Sequence, residues 1–322
     1  MGSGRWSTDV YSAAAKYRAA TGTSAFAHSD SGARAVHDAL NPHGVTVRES
    51  RDSDQHPQAT PIAILFDVTG SMGSVPRMLQ TKLPELFGLL IRKGYCTDPQ
   101  ILFGAIGDAT CDKAPLQIGQ FESDNRMDDD LGRILLEGGG GGQRTESYEL
   151  AMYFMARHTA LDATARGRRG YLFIIGDEMA YRQVKPAEVR RFIGDTITEP
   201  ISTEAILAEL RRSYDVYFIM PAHAGHTGDP EILAYWRGLL GQHVIELDDL
   251  GAVCETIALT VGLGEDATDL DSGLTDLAEA GSSAGATVGK ALAPLGSSRG
   301  ALVRSALPAG FGGDRATPVT RL

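Results

Sequence analysis

Short runs of apolar residues alternate with longer amphipathic stretches between residue 61 and about residue 264. Several of the short runs are apolar almost throughout, which is typical of parallel strands covered by helices on both faces. Residues 75–93 carry apolar side chains spaced by three and four, and this spacing predicts a long amphipathic helix. The pattern predicts six strands, at residues 61–68, 100–109, 115–121, 170–178, 215–220 and 243–247.

Five further helices are predicted at residues 146–160, 186–194, 202–213, 229–240 and 250–262. This alternation of strands and helices predicts an α/β fold with a doubly wound, mostly parallel sheet of the Rossmann-like kind. The segment between the second and third strands is too short for a crossover helix. Residues 115–121 are therefore predicted to form an antiparallel edge strand.

The composition changes on both sides of this alternating region. Residues 1–58 contain one helical pattern, at about residues 8–20, followed by a polar and charged linker. Residues 265–322 are rich in Ala, Gly, Ser and Thr, which predicts a largely flexible tail with two short amphipathic helices around Leu274 and Leu292. We therefore expect an N-terminal extension, a central domain at residues 59–264 and a C-terminal tail.

Composition and charge exclude several classes of protein. The chain has 322 residues and a formal net charge of −11, and such an acidic balance argues against nucleic-acid binding. No apolar run reaches the length of about 18 residues that a membrane-spanning helix needs, and the N-terminus has no apolar signal core. Three widely spaced cysteines favour a reducing compartment over a disulfide framework. These features predict a cytoplasmic protein without a membrane or nucleic-acid partner.

The end of the first predicted strand carries three oxygen-bearing side chains at alternate positions. Asp67 ends the apolar run, and Thr69 and Ser71 follow in the turn before the long helix. Ligands of open α/β sheets bind at the carboxyl ends of the strands. Carboxylate and hydroxyl oxygens suit a hard divalent cation. The alternative interpretation is a helix-capping turn, in which these side chains only satisfy free N–H groups.

Two other strand ends and one loop add similar chemistry. Asp108 and Asp177 each lie at the end of a predicted strand. A run of five glycines precedes the helix near residue 146, and it is followed by Thr145, Glu146 and Ser147. All these groups are predicted to gather at one edge of the sheet.

The set resembles the metal-ion-dependent adhesion site of von Willebrand factor A domains. That family has Asp-x-Ser-x-Ser at the end of its first strand, and Asp67, Thr69 and Ser71 match it with Thr in place of the first Ser. Asp177 matches the Asp that ends the fourth strand, although Glu178 follows it where the family more often has Gly. The resemblance covers about residues 59–264.

The family also uses a Thr from a later glycine-containing loop. Thr145 has about the right separation from Asp177, but Glu146 and Ser147 adjoin it, and any of the three could face the metal. Asp108 lies outside the family motif and is expected to bind the metal or to support its ligands.

The resemblance implies a bacterial-type domain that holds Mg²⁺, or Mn²⁺, through a few protein oxygens and water. One coordination position remains for a carboxylate of a partner protein. The implied function is a metal-dependent protein–protein interaction, and not enzymatic catalysis.

Other functions stay open at this point. A Mg²⁺-dependent phosphohydrolase could use Asp67 as nucleophile, although such enzymes usually carry a second Asp where Thr69 stands. A scaffold without a working metal site, whose tail helices make the contacts, is a third interpretation. His223 and His226 could form a zinc pair or simply a polar loop.

Overall fold

The computed structural model describes residues 4–138, 144–222, 226 and 228–296. The strands are β1 (Arg48–Ser50), β2 (Thr60–Asp67), β3 (Pro99–Ile106), β4 (Leu116–Ile118), β5 (Thr145–Glu146), β6 (Thr159–Leu161), β7 (Gly170–Ile175), β8 (Met179–Ala180), β9 (Gln183–Val184), β10 (Ile201–Ser202), β11 (Tyr214–Pro221) and β12 (Val244–Leu247).

The helices are α1 (Thr8–Thr21), α2 (Ala27–Asp30), α3 (Val75–Phe87), α4 (Arg126–Arg133), α5 (Tyr148–Arg157), α6 (Asp162–Ala165), α7 (Pro186–Phe192), α8 (Thr203–Leu210), α9 (Pro230–Leu240), α10 (Val253–Gly264), α11 (Leu270–Glu279) and α12 (Gly285–Gly296). A π-helical turn, Gly88–Arg92, extends α3. Among the described residues, no helix is both long and apolar enough to cross a membrane.

The central sheet contains six strands in the order β12-β11-β7-β2-β3-β4. All neighbouring pairs are parallel except β3 and β4, so the predicted α/β fold with an antiparallel edge strand is confirmed. Asp67 at the end of β2 is in register with Ile106 at the end of β3, and Phe66 is in register with Ile175 at the end of β7. The carboxyl ends of these three strands therefore lie at one edge.

Both faces of the sheet are covered, which explains the continuous apolar runs. Ile62, Ile64 and Phe66 of β2 pack in one core together with α3, α10, α11 and α12. Ala63 and Leu65 point to the other face and pack with α5, α7, α8 and α9. All eight residues of β2 are buried, so the strand that ends at Asp67 is firmly held.

The described part of the N-terminal extension packs on the central domain. Trp6 stacks on Phe87 with ring centroids 4.4 Å apart. The hydroxyl of Tyr11 donates a 2.7 Å hydrogen bond to the carbonyl of Gln80. Strand β1 pairs with β6 in parallel. The domain boundary near residue 58 remains a prediction, but the segment before it is in contact with the domain.

The predicted tail differs from the structure between residues 270 and 296. The two short helices expected there are α11 and α12, but Leu277 and Leu292 are fully buried and belong to the core. These two predicted helices therefore pack on the core, whereas the bounds of the tail stay a prediction. Small residues explain the packing, because a Cβ atom at Gly273 would lie 2.1 Å from a methyl carbon of Leu259 in α10. Residues 297–322 lie outside the described residues.

Candidate metal site at the carboxyl edge of the sheet

Asp67 is fully buried at the end of β2, and both of its carboxylate oxygens accept hydrogen bonds. Oδ1 accepts the backbone N–H of Thr69 at 2.7 Å. Oδ2 accepts the hydroxyl of Tyr148 at 3.2 Å. Thr69 is itself 2% exposed and precedes a 3₁₀ turn, Gly70–Met72, that leads into α3. The turn thus presents Asp67 and Thr69 side by side, as the sequence motif requires.

The environment of Asp67 favours its neutral form when no cation is bound. Burial raises the pKa of Asp67 to about 7, hydrogen bonds from Thr69 oppose the rise, and the charge of Asp177 adds to it. The effect of Asp177 shows that the two carboxylates, which the sequence assigns to one site, lie close enough to repel each other. A divalent cation between them would reverse the sign of this interaction.

Asp177 follows β7 and is also fully buried. Its Oδ2 accepts the backbone N–H of His226 at 3.0 Å. Gly176, immediately before it, has a specific steric role, because a Cβ atom there would lie 2.0 Å from the hydroxyl oxygen of Tyr148. The tyrosine that reaches Asp67 therefore needs a glycine at position 176.

Two glutamates lie at the same edge with unsatisfied carboxylate oxygens. Glu146 is 2% exposed and Glu178 is 7% exposed. Oε2 of each is buried and has no hydrogen-bond partner among the described residues. Nε2 of His226 lies 3.6 Å from the other oxygen of Glu178, Oε1. Buried carboxylate oxygens without a donor are costly, and a cation or a ligand donor would satisfy them.

The charges of this group reinforce each other. Burial raises the pKa of Glu146 to about 10, and the next largest causes are the carboxylates of Asp67 and Glu178. Burial raises the pKa of Glu178 to about 8, and Asp67 and Asp177 add to the rise. The strongest influences on both groups are thus burial and other carboxylates. The sequence gives one signal for Glu178, namely an acid where the resembled family more often has Gly, but our prediction did not assign it to the site.

The other predicted residues have different contacts. Thr145 is partly exposed in β5, where it pairs with Met179. The hydroxyl oxygen of Ser147 accepts the N–H of Ala109 at 2.9 Å, which joins the start of α5 to the loop after β3. Of the three candidates in this segment, Glu146 is the one whose charge acts on Asp67.

Asp108 is buried and supports its own loop. Its Oδ1 accepts the N–H of Thr110 at 2.7 Å, and its Oδ2 accepts the hydroxyl of Tyr181 at 2.9 Å. Its charge still contributes to the raised pKa of Glu146 and of Glu178. This arrangement favours a supporting role over direct binding.

Some predicted site residues cannot be placed. The side chain of Ser71, residues 139–143 of the glycine loop and His223 lie outside the described residues. Within the described ranges, no three His, Cys, Asp or Glu side chains converge to hold a single ion. A site of the resembled kind does not require three such groups, because Asp67 and Asp177 would be joined by hydroxyl groups and water.

No family model matches the chain, and no curated protein matches it. Among solved structures, the pilus adhesin SpaC from Lactobacillus rhamnosus GG in its open conformation is similar, with 10% identity and a TM-score of 0.45, over 67% of this chain and 31% of that chain. Proximal thread matrix protein 1 from the mussel byssus is similar with 10% identity and a TM-score of 0.42, over 63% of this chain and 47% of that chain. A structure of that mussel protein with a zinc-occupied MIDAS motif has 10% identity and a TM-score of 0.41, with the same coverage.

This chain therefore spans less than half of each of these proteins. At such identities and TM-scores, the similarities carry no argument about the function of this chain.

Proposed function

We propose that this protein is a metal-dependent protein–protein interaction module that binds a divalent cation at the carboxyl edge of its sheet. The observation that carries the proposal is the group of four buried carboxylates at this edge, two of which have an oxygen without a hydrogen-bond partner in the described part of the chain. Grouping unneutralised carboxylates in a buried place is unfavourable, and a cation would convert the repulsion into attraction. The four residues are Asp67, Glu146, Asp177 and Glu178.

The resemblance to von Willebrand factor A domains indicates which residues would hold the ion. Asp67, Thr69, Ser71 and Asp177 match the family motif. Of the three candidates from the glycine-loop segment, Glu146 is the one whose charge acts on Asp67, so it would add negative charge beside the ion that Asp67 and Asp177 hold. All of these donors are oxygens, which suits Mg²⁺ or Mn²⁺. The bound cation would supply a position for a carboxylate of a partner protein. A bacterial origin and a cytoplasmic location stay predictions.

The residues give less support to a phosphohydrolase. Such enzymes usually carry a second Asp two positions after the nucleophile, and the buried Thr69 stands there instead. Turnover of an aryl phosphate with Mg²⁺ tests this alternative. Activity that disappears in Asp67→Asn would replace the binding proposal by an enzymatic one.

Metal binding is tested by thermal unfolding in Mg²⁺, in Mn²⁺ and in chelator. An ion that binds only the folded state stabilises it by mass action, by about 2.7 kcal/mol at a free concentration of about 100 Kd. We expect the metal to raise the melting temperature of the wild type but not that of Asp67→Asn. Glu209→Gln, a matched removal of a half-buried carboxylate paired with Arg157, should respond like the wild type. A wild-type melting temperature indifferent to both metals would contradict the proposal.

Partner binding is tested by affinity purification with the wild type and Asp67→Asn side by side, in Mg²⁺ and in chelator. We expect one or more partners to be retained only by the wild type in Mg²⁺. A partner that persists in chelator and on Asp67→Asn would show that the contact surface lies elsewhere, as the scaffold interpretation requires.

A further inference from the structure

A cleft of about 500 Å³ lies between α3 with its π-helical turn, the start of α10, and the connection from α11 to α12. Among its lining residues are the apolar side chains of Met78, Leu89 and Leu277. The volume is within the range of pockets that bind small molecules. None of the residues assigned above to the metal site lines this cleft, so it is a separate feature.

Glu255 gives the cleft its chemical character. This residue lies in the first turn of α10, borders the cleft and is 1% exposed. Its Oε1 accepts hydrogen bonds from Nζ of Lys82 at 3.1 Å and from the hydroxyl of Ser282 at 3.0 Å. Its Oε2 is buried and has no hydrogen-bond partner within the residues that the structure describes. A donor that reached Oε2 would remove the cost of a buried, unsatisfied acceptor.

Three cationic side chains line the cleft, and none of them donates a hydrogen bond to Oε2 of Glu255. Lys82 is paired with Glu255 itself. Lys93 pairs with Asp276 at 2.9 Å and with Glu279 at 2.6 Å. Arg92 also lines the cleft, but its guanidinium lies beside Gly88 and makes no hydrogen bond to Oε2 of Glu255.

The rim of the cleft carries two more acidic side chains. Glu85 and Asp249 are both exposed and line the cleft. The end of the cleft near Glu255 is therefore suited to a cationic group. The apolar side chains nearby are suited to an uncharged, apolar part of the same ligand.

The backbone beside the cleft is also unusual. Residues Gly88–Arg92 form a π-helical turn, and Gly88, Leu89 and Arg92 line the cleft. Such turns interrupt α-helices at a cost and occur frequently at functional sites. We propose that the cleft binds a small molecule with a primary ammonium group on an apolar body. The ammonium donates to Oε2 of Glu255, and the body lies against Met78 and Leu89.

Isothermal titration calorimetry with phenethylamine, 2-phenylethanol and 3-phenylpropionate tests this proposal, because the three probes share an apolar body and differ in their polar end. We expect phenethylamine to bind at least about tenfold more tightly than the other two, since a hydrogen bond between charged groups is stronger than one between neutral groups. Glu255→Gln should abolish the preference. Glu209→Gln, which changes a half-buried glutamate of α8 in the same way, should keep the preference.

A second variant protects the test against misfolding of Glu255→Gln. Ser283 is exposed at the cleft, so Ser283→Trp fills the space without disturbing the core. We expect Ser283→Trp to fold normally and to lose phenethylamine binding. The proposal is overturned if phenethylamine does not bind the wild type at millimolar concentration, if the alcohol binds equally well, or if Ser283→Trp leaves the affinity unchanged.

Discussion

The hydroxyl of Tyr148, the first residue of α5, donates a hydrogen bond to Oδ2 of Asp67, which is 81 positions earlier in the chain. The tyrosine ring is fixed by edge contacts with Phe218 and Trp236, whose centroids lie 5.9 and 5.6 Å away. The start of α5 is thereby held against the end of β2. Because Glu146 lies two residues before Tyr148, this contact also places Glu146 beside the strand ends.

Gly176→Ala should destabilise the protein through this contact. A Cβ atom at position 176 would lie 2.0 Å from the tyrosine hydroxyl, so Tyr148 must shift. We expect the free energy of unfolding to fall by about 1–3 kcal/mol, the usual cost of overpacking a core. Urea unfolding in chelator measures this change in the free energy of unfolding.

Gly238→Ala is the matched control for that experiment. Gly238 lies in α9, and a Cβ atom there would meet nothing within 4 Å. The same change should raise the free energy of unfolding by about 0.5–1 kcal/mol, because alanine is the better helix former. Equal effects of the two substitutions would contradict the steric role of Gly176.

Glu146 should make the stability of the metal-free protein depend on pH. The unfolded chain releases the proton of Glu146 near pH 4.5, whereas the folded chain holds it up to about pH 10. Between these values the unfolded state binds fewer protons, so stability falls as the pH rises. Asp67 and Glu178, whose pKa values are also raised, act in the same direction.

Glu146→Gln should therefore raise the melting temperature in chelator above pH 5 and flatten its decline with pH. Glu209→Gln is the control, because hydrogen bonding to Arg157 lowers the pKa of Glu209. That substitution should not stabilise the protein. An unchanged pH profile in Glu146→Gln would show that Glu146 is well solvated in the metal-free protein.

The fold was predictable where one rule decides the outcome. Strands buried on both faces must be apolar throughout, so all six strands of the central sheet could be found from their composition. The packing of α11 and α12 on the core could not be predicted, because Ala, Gly and Ser are typical of flexible segments as well as of closely packed helices. The difference depends on partners such as Leu259, which lie at a distance in the chain.

Leu277→Ala and Leu292→Ala test whether α11 and α12 belong to the stable core. Both leucines are fully buried. Each substitution should lower the free energy of unfolding by about 2–5 kcal/mol, the usual cost of truncating a buried leucine. Val10→Ala in α1, where the valine is 55% exposed, should have little effect. If neither leucine substitution changed the free energy of unfolding, α11 and α12 would belong to a flexible tail.

The site was predictable only as far as local motifs extend. Asp67, Thr69 and Asp177 follow from strand ends and from the resemblance to a family. The role of Tyr148 did not follow, since an aromatic residue at the start of a helix is ordinarily a core residue. Its contact with Asp67 depends on the packing of α5 against the sheet and on the space left because Gly176 has no Cβ atom.

Glu149→Gln should not destabilise the protein, although Glu149 is fully buried. Its Oε2 accepts the N–H of Tyr181 at 3.1 Å, and its Oε1 has no hydrogen-bond partner among the described residues. Burial raises the pKa of Glu149 well above its usual value, which favours the neutral form that glutamine resembles. Asp195→Asn should lower the melting temperature instead, because hydrogen bonds from Tyr153 and His158 lower the pKa of Asp195. The melting temperatures of Glu149→Gln and Asp195→Asn at pH 7, each compared with that of the wild type, test this prediction.

Asp67→Asn and Asp67→Ala should separate folding from metal binding. Ile62, Ile64 and Phe66 are fully buried and hold β2 in place, each contributing about 1.5–3 kcal/mol, so both variants should fold. In chelator, Asp67→Asn should be at least as stable as the wild type, because it keeps an oxygen for the N–H of Thr69 and removes the repulsion with Asp177.

Asp67→Ala should be less stable than Asp67→Asn by about 1–3 kcal/mol, since it leaves the N–H of Thr69 and the hydroxyl of Tyr148 without their acceptor. Neither variant should be stabilised by Mg²⁺ or Mn²⁺, because both lack the charge that attracts the ion. Thermal unfolding with and without metal measures both effects. A metal-dependent rise in the melting temperature of Asp67→Asn would mean that the cation binds at another place, and Asp67 would then be a capping residue of the turn before α3.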